Sequence, residues 1–144
     1  MINEDTLRQT FWEHYRYRVK GGFMFEVSME NKNRKADLVT IEEYQGRWQI
    51  NAFEFKLNDY DKVMEQAKAN IRYCNRSWIV MPEKKRNHLK NHAAEIKGNG
   101  LGAITIEDGG RWHIIVPAPA RDECLLNQEI LGIAEMNSYK PSLY

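Results

Sequence analysis

The sequence predicts an α/β fold in which a small mixed β-sheet carries helices on both faces. Segments with strand-like alternation are interspersed with amphipathic helical segments. Residues 77–81 (SWIVM) are continuously apolar and follow a predicted helix, which is typical of a parallel strand inside a sheet. The 144 residues suit a single domain, 1–144, because no linker or repeat interrupts them. We expect the core over about residues 4–81, followed by a helix, a hairpin and a helix over 83–144.

The N-terminal region predicts a helix and then a strand. Residues 4–20 form the helix, with Asp5 or Thr6 as its N-cap. Residues 23–29 form the strand, in which successive side chains point to opposite faces. One face is expected to hold Phe23, Phe25, Val27 and Met29, and the other to hold Met24, Glu26 and Ser28.

An antiparallel hairpin follows. Residues 35–41 form a strand around Asp37, and residues 47–57 form its partner, which carries Glu54 and Lys56. The period of a strand places Glu54 and Lys56 side by side on one face. Charged groups flanked by apolar residues are rarely placed there unless they are paired or bind a ligand.

A crossover then leads to the apolar strand. Asn58-Asp59 supplies an N-cap for a helix over residues 60–74. Because a strand, a helix of this length and another strand make a crossover, residues 77–81 are expected to run parallel to the Glu54 strand.

The C-terminal region predicts further layers around the sheet. Residues 83–97 form a highly basic helix, and residues 101–106 pair with 112–116 as a hairpin. Residues 122–136 form a final helix.

Charge and cysteine content limit the possible functions. The formal net charge is +1, so a nucleic-acid surface must be a local patch and not a global basic field. Two cysteines are too few for a disulfide scaffold, which favours a reducing compartment. The N-terminus lacks the apolar segment of a signal peptide, and no apolar run reaches membrane-spanning length. We therefore expect a cytoplasmic protein with no membrane partner.

Four charged side chains are expected to converge on neighbouring strands: Glu26, Asp37, Glu54 and Lys56. Converging carboxylates suit a hard divalent cation such as Mg²⁺, which prefers oxygen ligands. We expect Mg²⁺ or Mn²⁺ as the cofactor, with Asp37 and Glu54 as ligands and Glu26 as a third. Lys56 would hold an attacking water or offset negative charge in the transition state.

This pattern resembles the PD-(D/E)xK nuclease superfamily over roughly residues 23–81. The family's aspartate maps to Asp37, where Ala36 replaces the preceding proline, and its E-x-K maps to Glu54-Phe55-Lys56. An upstream acidic residue of the family maps to Glu26, with Glu13 as the competitor, and the helical Gln and Tyr map to Gln66 and Tyr73.

The resemblance implies a restriction-endonuclease-like core and metal-dependent hydrolysis of DNA phosphodiesters. The small single-domain members that the chain looks most like act in DNA repair or as junction resolvases. DNA is then the expected partner, in a repair, recombination, restriction or mobile-element context, and a homodimer or larger complex is plausible.

Competing interpretations remain for several of these features. A nuclease-fold module that binds DNA or a protein but cuts nothing would show the same elements, and a purely structural protein would leave Glu54 and Lys56 as a surface pair. The basic cluster that includes Lys84, Lys85 and Arg86 is either a solvated helix face or a phosphate-binding surface.

Histidine and tryptophan positions give weaker signals. His88 and His92 share one helix face, but a zinc site needs a third ligand that the pattern does not supply. Core packing is expected for the tryptophans Trp12, Trp48, Trp78 and Trp112.

Overall fold

The computed structural model describes residues 3–28 and 35–121. Four α-helices are present in this part of the chain: α1 Glu4–Tyr15, α2 Tyr60–Asn70, α3 Arg86–Asn91 and α4 Ala93–Gly98. The strands are β1 Gly22–Ser28, β2 Lys35–Tyr44, β3 Arg47–Phe55, β4 Arg76–Pro82, β5 Leu101–Ile106 and β6 Trp112–Val116. Single 3₁₀ turns occupy Arg16–Arg18, Ile71–Tyr73 and Glu83–Lys85.

The six strands form one mixed sheet in the order of the sequence, β1-β2-β3-β4-β5-β6. Strands β1, β2 and β3 are antiparallel neighbours, β4 runs parallel to β3, and β5 runs parallel to β4. Strand β6 closes the order as an antiparallel hairpin with β5. The predicted hairpin, the parallel crossover through α2 and the late hairpin are therefore confirmed.

Helices cover both faces of this sheet, as the fold class predicts. On one face α1 packs through Leu7 and Phe11 onto the aromatic side chains of β3. On the other face α2, α3 and α4 pack onto alternate residues of β4 and β5. Strand β4 shows the division, because Trp78 and Val80 belong to the α1 side while Ile79 belongs to the other. This layering places β3 and β4 in the interior of the molecule.

The alternation predicted for β1 is wrong at Glu26. Its backbone φ is +51°, a left-handed conformation that side chains other than glycine rarely adopt. Phe25 contacts the aromatic core beneath α1, whereas Val27 joins the cluster on the opposite face with Met24. The local reversal leaves Glu26 exposed instead of on a shared face with Met24.

Helix boundaries also differ from the predictions. α1 stops at Tyr15 rather than at residue 20, and the side chain of Asn3, not Asp5 or Thr6, accepts the capping hydrogen bond. The basic segment 83–97 is a 3₁₀ turn and two short helices, because the chain bends at His92.

The prediction of core packing is wrong for Trp48, and two other predictions fall on residues that the structure does not describe. Trp48 does not pack in the core, since 55% of its surface is exposed. The final helix predicted over 122–136 and the side chain of Met29 lie outside the described residues.

Candidate functional site

Asp37 and Glu54 face each other across two neighbouring strands. Leu38 of β2 pairs with Phe53 of β3 in an antiparallel register, so the next residues in that register are Asp37 and Glu54. The Asp37 carboxylate lies close enough to Glu54 for its charge to raise the pKa of Glu54. The sheet therefore brings together the two carboxylates that the sequence predicted as metal ligands.

The Glu54 carboxylate is almost completely removed from solvent, with 1% of the residue exposed. Its Oε1 accepts a hydrogen bond of 2.9 Å from Nδ2 of Asn70, the last residue of α2. Its Oε2 is buried and has no hydrogen-bond partner among the residues that the structure describes. Asp37 is half-buried, and its Oδ2 accepts from the backbone N–H of Phe55 at 2.9 Å.

Burial raises the pKa of Glu54, and the neighbouring carboxylate of Asp37 raises it further, to about 9. The hydrogen bond from Asn70 acts in the opposite direction but does not compensate. Two carboxylates this close do not readily both ionise in a low-dielectric interior. At neutral pH the pair therefore holds a proton, and a bound cation would occupy the place of that proton.

Lys56 lies just beyond the end of β3, where its backbone N–H donates to the carbonyl oxygen of Val80 at 3.2 Å. Its ammonium forms an ion pair with Glu4, with 3.3 Å between Nζ and Oε1. Glu4 is in the first turn of α1, which packs on the sheet face opposite to α2. Lys56 thus extends toward α1, whereas Glu54 is hydrogen-bonded to α2.

Sequence reasoning missed Glu4. An acidic residue in the first turn of a helix is ordinarily explained by the helix dipole, so its position gave no signal of a long-range partner. Glu4 and Lys56 are 52 residues apart in the chain.

The structure does not bring Glu26 into a three-ligand group with Asp37 and Glu54. Its side chain is 64% exposed and lies 4.0 Å from Nη1 of Arg8. Across the described ranges, no set of three metal-ligating atoms within 4.8 Å of one another includes both Asp37 and Glu54. The competitor, Glu13, is nine residues along α1 from Glu4, about 13 Å at the rise of an α-helix.

On α2, Asn70 contacts the site through its hydrogen bond to Glu54. Gln66, a predicted contact, lies one helical turn before Asn70 and so on the same side of the helix. Tyr73, the other predicted contact, is buried with residues of β1, β2 and β3 in a hydrophobic cluster. An asparagine four residues after Gln66 was the available signal for the missed residue.

The three basic residues predicted to bind nucleic acid differ in their surroundings. Lys84 is exposed, and Lys85 is half-buried. Arg86 is paired with Glu83, with 2.8 Å between its Nη2 and Oε2 of the carboxylate. Of the three, Lys84 is the most accessible to a phosphate.

A second group of potential metal ligands lies beside this basic segment. Glu83, Glu107 and His113 each offer one ligand atom, and these atoms lie within 4.8 Å of one another, so the group could hold a metal ion. Burial opposes ionisation of Glu83, but hydrogen bonds from Arg86 and Thr105 outweigh it and lower the pKa of Glu83. The guanidinium of Arg86 already compensates the charge of this carboxylate, which distinguishes the group from Asp37 and Glu54.

The histidine pair on the basic segment forms an aromatic cluster. The rings of His88 and His92 stack with 4.2 Å between centroids, and both contact Tyr60. Neither histidine belongs to a group of three ligands in the part of the chain that the structure describes.

No helix among residues 3–28 and 35–121 combines the length and the apolar character needed to cross a membrane. No protein-family model, curated protein or solved structure matches this chain.

Proposed function

We propose that this protein is a metal-dependent nuclease with a restriction-endonuclease-like core that hydrolyses DNA phosphodiester bonds. The observation that carries the proposal is the proximity of the Asp37 carboxylate to the buried Glu54, whose Oε2 has no hydrogen-bond donor among the described residues. DNA is the proposed partner, in repair, recombination, restriction or a mobile-element context.

The energetics of the carboxylate pair favour a cation. Burying a carboxylate without compensation is costly, and a second carboxylate opposite it increases the cost. Asn70 compensates only one oxygen of Glu54. A divalent cation with oxygen ligands would neutralise both carboxylates and satisfy the remaining oxygen, and Mg²⁺ and Mn²⁺ prefer such ligands.

Each residue of the site has a separate role in this proposal. Asp37 and Glu54 hold the cation, and Asn70 fixes the orientation of Glu54 through its hydrogen bond. Bound there, the cation would polarise a phosphoryl oxygen and lower the pKa of a coordinated water. Lys56 offsets the charge that develops on the phosphate once the substrate competes with Glu4 for its ammonium.

The position of Glu26 makes it the weakest part of the predicted ligand set. Its carboxylate is exposed and lies 4.0 Å from Nη1 of Arg8 on α1. The carboxylate in contact with Lys56 is that of Glu4, which is not part of the proposed ligand pair.

The experiment that tests the function is calorimetric titration of Mn²⁺ and Mg²⁺ into wild type and Asp37→Asn, followed by a cleavage assay on single-stranded and duplex DNA. We expect binding to wild type, with loss of binding and at least a hundredfold loss of cleavage in the variant. Asp61→Asn is the matched control, because Asp61 is an exposed residue in the first turn of α2.

The alternative function is a nuclease-fold module that binds DNA or a protein partner without cutting. The ion pair of Lys56 with Glu4 favours it, since a catalytic lysine is there already neutralised. A folded wild-type protein that takes up neither metal would reject the nuclease and leave this alternative.

A further inference from the structure

A cavity of about 300 Å³ lies between the C-terminal end of α1 and the ends of the central strands, apart from the Asp37–Glu54 pair. This volume is at the lower end of the range of roughly 300–1,000 Å³ that is typical of small-molecule sites. Aromatic rings form much of its wall: Tyr15, Tyr44, Trp78 and Trp112. We name it the Glu42 cavity after its buried carboxylate.

Glu42 of β2 is a carboxylate with only 9% of its surface exposed. Its oxygens accept hydrogen bonds from the hydroxyl of Tyr15 at 2.8 Å and from that of Thr40 at 2.6 Å. Burial raises the pKa of Glu42, even though these hydroxyls and two arginines act to lower it. Two carboxylate oxygens have about four acceptor positions, so Glu42 retains capacity to accept from a ligand.

Asn51 of β3 lines the same cavity and is 5% exposed. Its Oδ1 accepts a hydrogen bond of 2.9 Å from the indole Nε1 of Trp78. That bond fixes the plane of the amide and leaves Nδ2 as the group that can donate to a ligand. An acceptor and a donor are thus held at fixed positions in one cavity.

Two arginines complete the lining. The guanidinium of Arg18 lies 5.2 Å from the ring centroid of Trp112, and that of Arg76 lies 5.0 Å from the centroid of Tyr44. The buried Nε of Arg76 has no hydrogen-bond partner within residues 3–28 and 35–121. Both arginines attract the charge of Glu42, but no ion pair within 4.0 Å joins either of them to it in those ranges.

These groups together select a class of ligand. Two guanidinium groups disfavour a metal cation, and the buried carboxylate disfavours a simple anion such as phosphate alone. A flat ring with both donors and acceptors on its edge fits aromatic walls, a carboxylate and an amide. Unpaired nucleobases are recognised in this way, by stacking on aromatic or arginine planes and by hydrogen bonds to their edges.

We propose that the Glu42 cavity binds an unpaired nucleobase that carries an exocyclic amino group, with Glu42 accepting from that group. Asn51 donates to an acceptor on the same edge, and Arg18 contributes a stacking plane and a contact to the attached phosphate. Carboxylates accept from the amino group of cytosine, which thymine lacks.

Nucleobase binding in the Glu42 cavity does not depend on cleavage. Asn51 precedes Glu54 by three residues on β3, about 10 Å along a strand, and their side chains lie on opposite faces of the sheet. Base binding can therefore be measured without metal, and a failure of the nuclease proposal leaves this measurement unaffected.

In the test, dCMP, dTMP and single-stranded oligo-dC and oligo-dT are titrated into metal-free protein in EDTA. Calorimetry and tryptophan fluorescence measure the binding. We expect tighter binding of cytosine than of thymine by about tenfold or more. In Glu42→Gln the preference should shift toward thymine, because an amide can donate to the O4 of thymine. A merely structural role for Glu42 would weaken both ligands equally.

Controls separate the possible outcomes. Glu13→Gln changes an exposed glutamate of α1 and should keep the preference for cytosine. If Glu42→Gln does not fold, Arg18→Ala tests the same cavity from an exposed position and should weaken both oligonucleotides severalfold. Binding of dCMP would identify a free nucleotide as a ligand, and binding of oligo-dC alone would identify a strand. Equal affinity of wild type for cytosine and thymine, or no binding of either, would overturn the inference.

Discussion

At the scale of single residues, the opposition of Asp37 and Glu54 sets the chemistry of the candidate site. Glu54 has a raised pKa because it is buried and faces another carboxylate, and the donor from α2 reaches only one of its oxygens. Two buried carboxylates facing each other do not stabilise the fold unless a ligand compensates their negative charge. The pair is therefore more informative about function than about stability.

This pair makes stability depend on pH. The folded state keeps the proton of Glu54 up to about pH 9, whereas the unfolded chain releases it near the ordinary value of 4.5. The stabilising contribution of the protonated group is therefore complete below pH 4.5 and is lost as the pH rises toward 9. Metal-free wild type should lose stability over that window.

We predict that Glu54→Gln removes much of this dependence and raises the free energy of unfolding at pH 8 by about 1–3 kcal/mol, since the amide can donate to Asp37. Urea unfolding with EDTA at several pH values measures the effect. Glu65→Gln, an exposed change on α2, should leave the profile as in wild type. With Mn²⁺ present, wild type should gain stability and Glu54→Gln should not. A variant that is less stable than wild type at pH 8 would contradict the origin proposed for the raised pKa.

At the scale of elements, strand β1 departs from regular pairing at Glu26. The positive φ there places an ordinary side chain in a conformation that glycine adopts at little cost. The exposed carboxylate has one long contact, to Arg8, which at a solvated surface contributes little.

We predict that Glu26→Gly raises the free energy of unfolding by up to about 1 kcal/mol, because it relieves a left-handed conformation. Metal affinity and cleavage should stay within severalfold of wild type, since Glu26 lies outside the ligand pair. Thermal or urea denaturation and the calorimetric titration measure the two effects. Glu26→Ala separates strain from charge, because it removes the carboxylate and keeps the strain. Loss of metal binding in both variants would restore Glu26 as a ligand.

At the scale of the whole molecule, the near-neutral charge limits how strongly this protein can hold DNA through phosphates alone. A net charge of +1 gives no general attraction, and Arg86 is committed to Glu83. In the basic segment, residues 83–97, the lysines Lys84, Lys90 and Lys97 are exposed and Lys85 is partly covered.

We predict a weak dependence of DNA affinity on salt, with a slope of log K against log salt no steeper than about −4, which corresponds to about four phosphate contacts. Fluorescence anisotropy with labelled duplex in EDTA measures it. Lys84→Ala with Lys85→Ala should reduce the slope by up to about two units. The matched double change Lys62→Ala with Lys68→Ala, at exposed positions of α2, should leave the slope of log K against log salt unchanged. An unchanged slope in the first pair would exclude Lys84 and Lys85 from the interface.

The fold class and most of the elements follow from local information in the sequence. Hydrophobic period, turn residues and the apolar segment at residues 77–81 correctly predict the hairpins, the crossover and the parallel pairing of β3 with β4. Asp37 and Glu54 could be predicted as neighbours because a hairpin fixes its register over a short loop. The interruption of the basic segment at His92 could not, since its composition favours a continuous helix.

By itself, then, the sequence determined the layered α/β architecture and the pair of carboxylates within it, because both depend on short-range periodicity and on one hairpin. Only the tertiary structure decided the contacts of Asn70 with Glu54 and of Glu4 with Lys56, and the position of Glu26 outside the pair. It also decided that Glu42, Asn51 and two arginines share a cavity. Such contacts join segments far apart in the chain, and their geometry depends on how helices pack on the sheet, which no local pattern encodes.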